Sequence, residues 1–206
     1  MLVIPEKEKI KNIVFDFGDV IVNLDKQATK HELNKLGLTE LDSEMIEMNQ
    51  QYETGKIDTD DFIDFYQKKI PKASREELIE AWNSIFLDLP RYRIDFIKEL
   101  SKDYNIYLLS NINPLHLKKI RSMLGDDLYI EFLYLFNMVF YSHLTQFRKP
   151  NDAPFSFLAE RAKIISEESL FIDDTLENCE TAIKIGYKAW HIHPETDDII
   201  DLKKYL

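Results

Sequence analysis

Cysteine and glycine are scarce in this 206-residue chain, and each scarcity excludes a class of protein. The single cysteine, Cys179, has no partner for an intramolecular disulfide, which fits a reducing compartment. The five glycines are so widely spaced that neither the dinucleotide-binding pattern G-x-G-x-x-G nor the P-loop pattern G-x-x-x-x-G-K occurs. The G-x-S-x-G nucleophile elbow is absent too. An α/β protein without these loops has to do its chemistry with side chains.

Positive charge is also in short supply. The chain has 26 Lys and Arg against 37 Asp and Glu, a formal net charge of −11. Such a surface repels nucleic-acid phosphates and anionic membranes, and the basic residues form no cluster, so we expect neither partner. If the chain acts on an anionic substrate, its site needs local positive charge from a metal ion or a fixed lysine.

No apolar run is long enough to span a bilayer. The longest apolar-rich stretch, 128–141, contains Glu131 and Asn137 and is better explained as a buried helix end followed by a strand. The N-terminus carries charges where a signal peptide needs its apolar core, so we expect a cytoplasmic protein. Any exposed part of the aromatic run 129–141 would be a candidate contact for a homodimer.

Five short apolar segments predict buried strands: 13–17, 106–109, 138–141, 170–172 and 189–192. Amphipathic segments predict helices at 91–100, 154–162 and 176–185, with Gly186 well placed to cap the last of them. Strands that alternate with helices indicate an α/β fold with a parallel sheet covered on both faces.

Residues 25–90 interrupt this alternation, because they contain helical patterns and no convincing strand. Ser74 and Glu77 form a capping box, and Asp58 begins another helix pattern. We therefore predict an all-helical cap domain, 25–90, inserted into an α/β core domain made of 1–24 and 91–206. An insertion after the first strand lies where open α/β sheets bind ligands, so the cap would serve as a lid.

Acidic side chains follow two of the predicted strands. Asp16 ends the first, where a buried carboxylate is costly unless it is paired. Taken alone, a turn or helix cap explains Asp16 slightly better than a nucleophile or metal ligand does. Asp173 and Asp174 follow the fourth strand, and adjacent carboxylates repel each other and attract a hard cation such as Mg²⁺. A helix cap is the alternative, but it explains one carboxylate better than two.

Other polar groups follow the remaining strands. Ser110 and Asn111 come after the second strand, where a helix cap is the simpler explanation and phosphate binding the functional one. Lys149 follows the third strand; most lysines are merely solvated, but one in a crevice would neutralise a phosphate and a nucleophilic carboxylate. Each signal is weak alone. Together they are strong, because the carboxyl ends of parallel strands surround one crevice.

In this order, Asp16, Ser110, Lys149 and the pair Asp173–Asp174 resemble the motifs of the haloacid dehalogenase-like hydrolase superfamily, helical-cap subclass. The stretches LLSN, RKP, FIDDTLENC and ETGKIDTDDF look most like the branch of sugar-phosphate phosphatases and epoxide hydrolase N-terminal phosphatase domains. The resemblance spans nearly the whole chain and implies a three-layer, Rossmann-like core.

The resemblance also implies an activity. It is that of a Mg²⁺-dependent phosphatase acting on a small phosphorylated metabolite, with Asp16 as covalent nucleophile. Ser110, Asn111 and Lys149 would bind the phosphate, with Ser110 and Lys149 also catalytic. Asp16, the Gly18 carbonyl, Asp173 and Asp174 would hold the metal.

One position departs from the phosphatase pattern. Phosphatases of this superfamily usually carry a second aspartate two residues after the nucleophile, and here that residue is Gly18. Asp19 or Asp25 would then transfer the proton, or the leaving group would need little help. A 2-haloacid dehalogenase and a catalytically silent phosphate- or protein-binding relative stay open as alternatives. His191 and His193 could bind a metal on one strand face, but an ordinary strand end before a turn is the favoured interpretation.

Overall fold

The protein is described by a computed structural model that covers residues 10–206. The first nine residues lie outside the described part, and with them most of the charged N-terminal stretch and the beginning of the predicted segment 1–24. Five strands form one sheet in the order β3-β2-β1-β4-β5, and every neighbouring pair is parallel. Their bounds are β1 Asn12–Phe15, β2 Asn105–Ser110, β3 Met138–Tyr141, β4 Ser169–Asp173 and β5 Lys188–His191.

Helices connect the strands. Five lie between β1 and β2, and the first four of them are α1 Ala28–Lys35, α2 Ser43–Glu53, α3 Thr59–Lys69 and α4 Arg75–Asn83. The others are α5 Arg91–Leu100, α6 Pro114–Leu124, α7 Asp126–Leu133, α8 Ser142–Thr145, α9 Asp152–Ala162 and α10 Leu176–Lys184, and Ser166–Glu168 and Ile199–Lys204 are 3-10 helices. Within residues 10–206, no helix is long and apolar enough to cross a membrane.

The predicted α/β fold with a parallel sheet is confirmed, and several strand boundaries are corrected. Strands β2, β4 and β5 each differ from the prediction by one residue at either end, and β1 differs most. Strand β1 ends at Phe15, two residues earlier than predicted, because the chain turns back after Asp16. The backbone N–H groups of Ile21 and Val22 both donate to the carbonyl of Phe17, which closes this turn. The apolar character of Phe17 reflects burial in the turn and not membership of the strand.

The sheet is buried on both faces, as its parallel strands require. Alternate residues of β1 point in opposite directions: Ile13 and Phe15 pack in one cluster with Ile94 and Ile97 of α5. Val14 packs in a second cluster, which includes Phe155 and Leu158 of α9 and Cys179 of α10. The near-continuous apolar strands in the sequence therefore correspond to a three-layer core.

Helices α1 to α4 share a third hydrophobic cluster of their own. Its buried members include Leu33, Tyr52, Phe62, Tyr66 and Leu78, and Leu115 of α6 is the member contributed from the sheet side. The two segments that join these helices to the sheet run side by side and are hydrogen-bonded to each other. The exact limits of a separate cap domain, 25–90, stay a prediction.

The helical segment contacts the rest of the chain through specific polar groups. The hydroxyl of Tyr52 accepts a hydrogen bond from the backbone N–H of Leu115 at 3.1 Å. The guanidinium of Arg148 pairs with the carboxylate of Glu53 at 2.6 Å. Gly55 lies so close to His143 that a β-carbon there would be 2.0 Å from the His143 carbonyl oxygen. Only glycine fits this contact.

Replacement of Gly55 by Ala is expected to destabilise the protein through this contact. Gly55 has φ +65°, and its new methyl group would collide with backbone, which cannot move aside as a side chain can. Gly37→Ala is the control, because Gly37 also has positive φ but no atom within 4 Å of its added β-carbon. We expect urea unfolding to show a loss for Gly55→Ala about 1–3 kcal/mol larger than for Gly37→Ala. Equal losses would contradict the contact.

His116 supports the same interface as a neutral ring. Its Nε2 donates to the carbonyl of Trp82 at 3.1 Å, and its Nδ1 accepts from the Asn113 amide at 3.3 Å. Burial lowers the pKa of His116 to about 4, against the opposing effect of the Trp82 carbonyl. The ordinary value, which applies in the unfolded chain, is 6.5.

Because its folded pKa lies below its unfolded pKa, the stability contributed by neutral His116 is present above pH 6.5 and is lost as the pH falls towards 4. The loss is expected to reach at most about 3 kcal/mol. Urea unfolding of wild type and His116→Gln between pH 4 and 8 measures it. The Gln variant should show the weaker pH dependence, whereas parallel profiles would show that His116 is not the titrating group.

Candidate active site

The polar residues that follow the strands meet at the switch point of the sheet. The chain runs from the central strand β1 to β2 and β3 on one side, and later to β4 and β5 on the other. Open α/β sheets form a crevice at such a point, at the carboxyl ends of the strands. Asp16 directly follows β1, Asp173 is the last residue of β4, and β1 and β4 are neighbours.

Lys149 joins two of these carboxylates. Its Nζ lies 2.6 Å from Asp16 Oδ1 and 2.6 Å from Asp173 Oδ2. The Lys149 side chain is 2% exposed and that of Asp173 is fully buried, so water contributes little to either charge. A buried ammonium between two carboxylates is the fixed positive charge that an acidic protein needs for an anionic ligand.

Asp173 is held by two further contacts. Both of its carboxylate oxygens accept from the amide of Asn178 at 3.0 Å, and Oδ1 accepts from the backbone N–H of Thr175 at 2.8 Å. Sequence reasoning missed Asn178. Asn178 is distinguished by being polar at a buried position of α10, beside Cys179, where an apolar residue would be expected.

Three carboxylates converge closely enough to share a cation. One oxygen each from Asp16, Asp173 and Asp174 lies within 4.8 Å of the others, and within residues 10–206 this is the acidic group with metal-binding geometry. Oxygen-only donors of this kind suit a hard divalent ion such as Mg²⁺. His191 and His193 do not join this group. The His191 ring, at the end of β5, instead contacts the backbone carbonyl of Asp174 at 3.0 Å.

Asn111 positions the lysine loop. Its side-chain amide donates to the Lys149 carbonyl and its side-chain oxygen accepts from the Lys149 N–H, both at 3.0 Å. Ser110 is buried at the end of β2, beside the central strand. The structure thus brings Asp16, Lys149, Asp173 and Asp174 together. The side-chain amide of Asn111 is instead hydrogen-bonded to the backbone of Lys149. The phosphate-binding roles of Ser110 and Asn111 stay predictions.

Burial shapes the proton affinities of this group. It raises the pKa of Asp16 to about 7; Lys149 opposes the rise, and the neighbouring Asp173 and Asp174 add to it. Burial alone would lower the pKa of Lys149, but Asp16 and Asp173 together raise it above its ordinary value. Lys149 is therefore a permanent cation. A further positive charge beside Asp16 would favour its ionised form.

The turn after Asp16 packs Gly18 against the side chain of Leu24. A β-carbon on Gly18 would lie 2.7 Å from Leu24 Cδ1, so any other residue would require Leu24 to move. Asp19, with φ +54°, accepts from the backbone N–H of Leu24 at 2.9 Å. Asp19 and Asp25, the two residues proposed for proton transfer, both line a cavity of about 790 Å³ next to the acid group, together with Lys26 and His193.

This geometry agrees with the comparisons to known proteins. The haloacid dehalogenase-like hydrolase family matches residues 10–186, and the chain belongs to this family. The chain is 31% identical to the D-ribitol-5-phosphate phosphatase of Bacteroides thetaiotaomicron over 199 residues, which cover 88% of this chain and 91% of that protein.

Solved structures show the same similarity. A HAD family enzyme from Bacteroides thetaiotaomicron in a magnesium complex superposes with a TM-score of 0.86 at 28% identity, over 95% of this chain and 99% of that one. A complex of such an enzyme from the same organism with magnesium and inorganic phosphate gives a TM-score of 0.82 at 29% identity, over 91% of this chain and 96% of that one. The predicted family is confirmed, and with it the class of hydrolase.

Proposed function

We propose that this chain is a Mg²⁺-dependent phosphatase that hydrolyses small phosphorylated metabolites, with sugar and polyol phosphates as the first class to test. The observation that carries the proposal is the ammonium of Lys149 between Asp16 and Asp173, beside a group of three carboxylates. A carboxylate nucleophile can approach an anion only where positive charge is already fixed. The similarity to a D-ribitol-5-phosphate phosphatase supports the substrate class.

The residues fit the metal that this activity needs. Asp16, Asp173 and Asp174 would hold Mg²⁺ together with the backbone carbonyl of Gly18, and the bound ion would supply positive charge to a phosphate dianion. Lys149 contacts two of these carboxylates, Asp16 and Asp173, and adds a second positive charge.

Asp16 then performs the covalent step. One of its carboxylate oxygens attacks phosphorus in line, so that an oxygen–phosphorus bond forms to give an acyl phosphate on Asp16 as the bond from phosphorus to the leaving alcohol oxygen breaks. Water attacks the phosphorus of this aspartyl-phosphate in the second step and releases inorganic phosphate and free Asp16. Ser110 and Lys149 would stabilise the phosphate oxygens in both steps.

The leaving alkoxide must take up a proton, and Gly18 cannot supply it. Asp19 and Asp25 line the adjacent cavity and are the two side chains we propose for this role. Asp19 has one oxygen engaged with Leu24 N–H and the other with Lys26, whereas Asp25 is exposed and caps the N–H of Gln27. Asp25 therefore has the freer carboxylate of the two.

The helical segment would act as the cap that closes over the substrate. Its helices pack on their own cluster. They contact the sheet side through Tyr52, Glu53 and Gly55, whose partners are Leu115 of α6, Arg148 and His143 of α8, respectively. Closure of such a segment excludes water and selects the part of the substrate that is not phosphate. We propose residues 25–90 as this cap domain.

A substrate panel tests the function. Purified protein is assayed for phosphate release from p-nitrophenyl phosphate, D-ribitol 5-phosphate and other sugar phosphates, with Mg²⁺ and with EDTA. We expect Mg²⁺-dependent release that EDTA abolishes. Halide release from 2-haloacids without metal would instead identify a dehalogenase. No turnover of any substrate, with phosphate binding retained, would identify a silent phosphate-binding relative.

A homodimer and a cytoplasmic location belong to the same proposal. Tyr134, directly after α7, is 85% exposed, and Ile130 of α7 and Met138 of the edge strand β3 are also exposed. Light scattering coupled to size-exclusion chromatography would measure the mass of the wild type and of Tyr134→Ser. We expect a dimer in the first and a shift towards monomer in the second.

A further inference from the structure

Lys26 makes a contact that the proposed mechanism does not use. It lies in the segment between β1 and α1, and its ammonium pairs with Oδ2 of Asp174 and with Oδ2 of Asp19, the latter at 3.1 Å. The side chain of Asp174 is 7% exposed, whereas that of Lys26 is 56% exposed. Asp174 is therefore fixed in the site, whereas Lys26 has a long side chain that solvent reaches.

The two lysines of the site differ in how firmly they are held. Lys149 is buried and bound to two carboxylates, so it cannot leave without exposing them. Lys26 is exposed and can turn towards the solvent or the adjacent cavity that it lines. The site combines four carboxylates, Asp16, Asp19, Asp173 and Asp174, with only these two ammonium groups. It thus carries an excess of negative charge that a divalent cation would neutralise.

A cation held by Asp16, Asp173 and Asp174 has to use a carboxylate that Lys26 also contacts. Two positive groups on one carboxylate repel each other, so each weakens the binding of the other. We propose that Lys26 is a tethered counter-ion of the acid group, which competes with the divalent metal for Asp174 and is displaced from it when the metal binds. This inference rests on the proposed metal site and adds to it a residue that sets the metal affinity.

Lys26 also connects the metal site to the helical segment. It precedes α1 by two residues and lines both the large cavity and a smaller one of about 200 Å³ that includes Thr29, Asn49 and Trp82. Once displaced from Asp174, the ammonium remains within the wall of these cavities. It is then available to an anionic group of a bound substrate, so metal loading would prepare the cavity for an anion.

The experiment measures metal binding without turnover. Titration calorimetry determines the Kd of Mg²⁺ for substrate-free wild type, Lys26→Met, Lys26→Arg and Lys30→Met. We expect Lys26→Met to bind Mg²⁺ roughly tenfold more tightly than wild type, because the competing charge is gone. Lys26→Arg keeps the charge and should bind like wild type. Lys30→Met, an exposed lysine on α1, controls for the change in net charge.

Thermal unfolding gives a second readout. In EDTA, Lys26→Met should unfold at a lower temperature than wild type, since Asp174 and Asp19 lose their counter-ion, and Mg²⁺ should raise its unfolding temperature by more. A Kd for Lys26→Met that equals or exceeds that of Lys30→Met would overturn the inference. Asp174→Asn tests the site itself: binding lost in Asp174→Asn but unaffected by Lys26→Met overturns the role of Lys26 alone. Absence of Mg²⁺ binding in wild type and Lys26→Met alike overturns both.

Discussion

Asp16→Asn is expected to lower kcat for phosphate-ester hydrolysis by about 10³-fold or more while the protein stays folded. The amide has nearly the shape of the carboxylate but cannot attack phosphorus as an anion. Lys149 keeps Asp173 as its partner in this variant, so no buried charge is left unpaired. Steady-state assays with the best substrate of the panel measure the loss, and circular dichroism checks the fold.

The covalent intermediate gives this prediction a direct test. Wild type quenched in acid during turnover of a ³²P-labelled substrate should retain label on the protein, and Asp16→Asn should retain none. Asp127→Asn, which alters an exposed acid on α7, is the control and should keep both turnover and label. Label on the Asp16→Asn protein would assign the nucleophile to another residue.

Lys149→Met is expected to destabilise the protein by about 3–5 kcal/mol in EDTA at neutral pH. The substitution keeps much of the side-chain volume but leaves the buried carboxylates of Asp16 and Asp173 without their cation. Urea unfolding measures the loss, and Lys118→Met, which alters an exposed lysine on α6, is the control.

The pH dependence and a second substitution show whether charge is the cause. Burial raises the pKa of Asp16 and Lys149 opposes that rise, so without Lys149 the folded pKa of Asp16 lies further above its unfolded value; the destabilisation should therefore grow as the pH rises and shrink as Asp16 takes up a proton. Adding Asp173→Asn should recover part of the stability, which makes the two substitutions non-additive. A loss below 1 kcal/mol, or simple additivity, would show that the ion pairs contribute little.

The sheet was predictable because its strands carry their own signal. Parallel strands are buried on both faces, so each reads as a short apolar run, and β3 was predicted with its observed limits. The end of β1 was wrong by two residues because Phe17 is apolar for a different reason, its burial in a turn. Periodicity cannot separate an apolar residue in a strand from one in the turn that follows it.

The candidate site was partly predictable for a similar reason. A polar residue directly after an apolar run has a definite place in an open α/β sheet, and Asp16, Asp173 and Asp174 were found by that rule. Asn178 was missed because it lies inside a helix pattern, where its neighbour Cys179 packs in the core. Lys26 was missed because nothing in its local sequence distinguishes it from a solvated lysine.

By itself, the sequence determined the order of strands and helices, the helical interruption and the acidic residues at strand ends, since these follow from local apolar patterns and residue type. Only the tertiary structure decided which charges meet. Lys149 lies 133 residues from Asp16 in sequence and Lys26 lies 148 residues from Asp174, yet both pairs are in contact. Such pairs form because the sheet brings its strand ends to one edge, where buried charges are stable only with a partner.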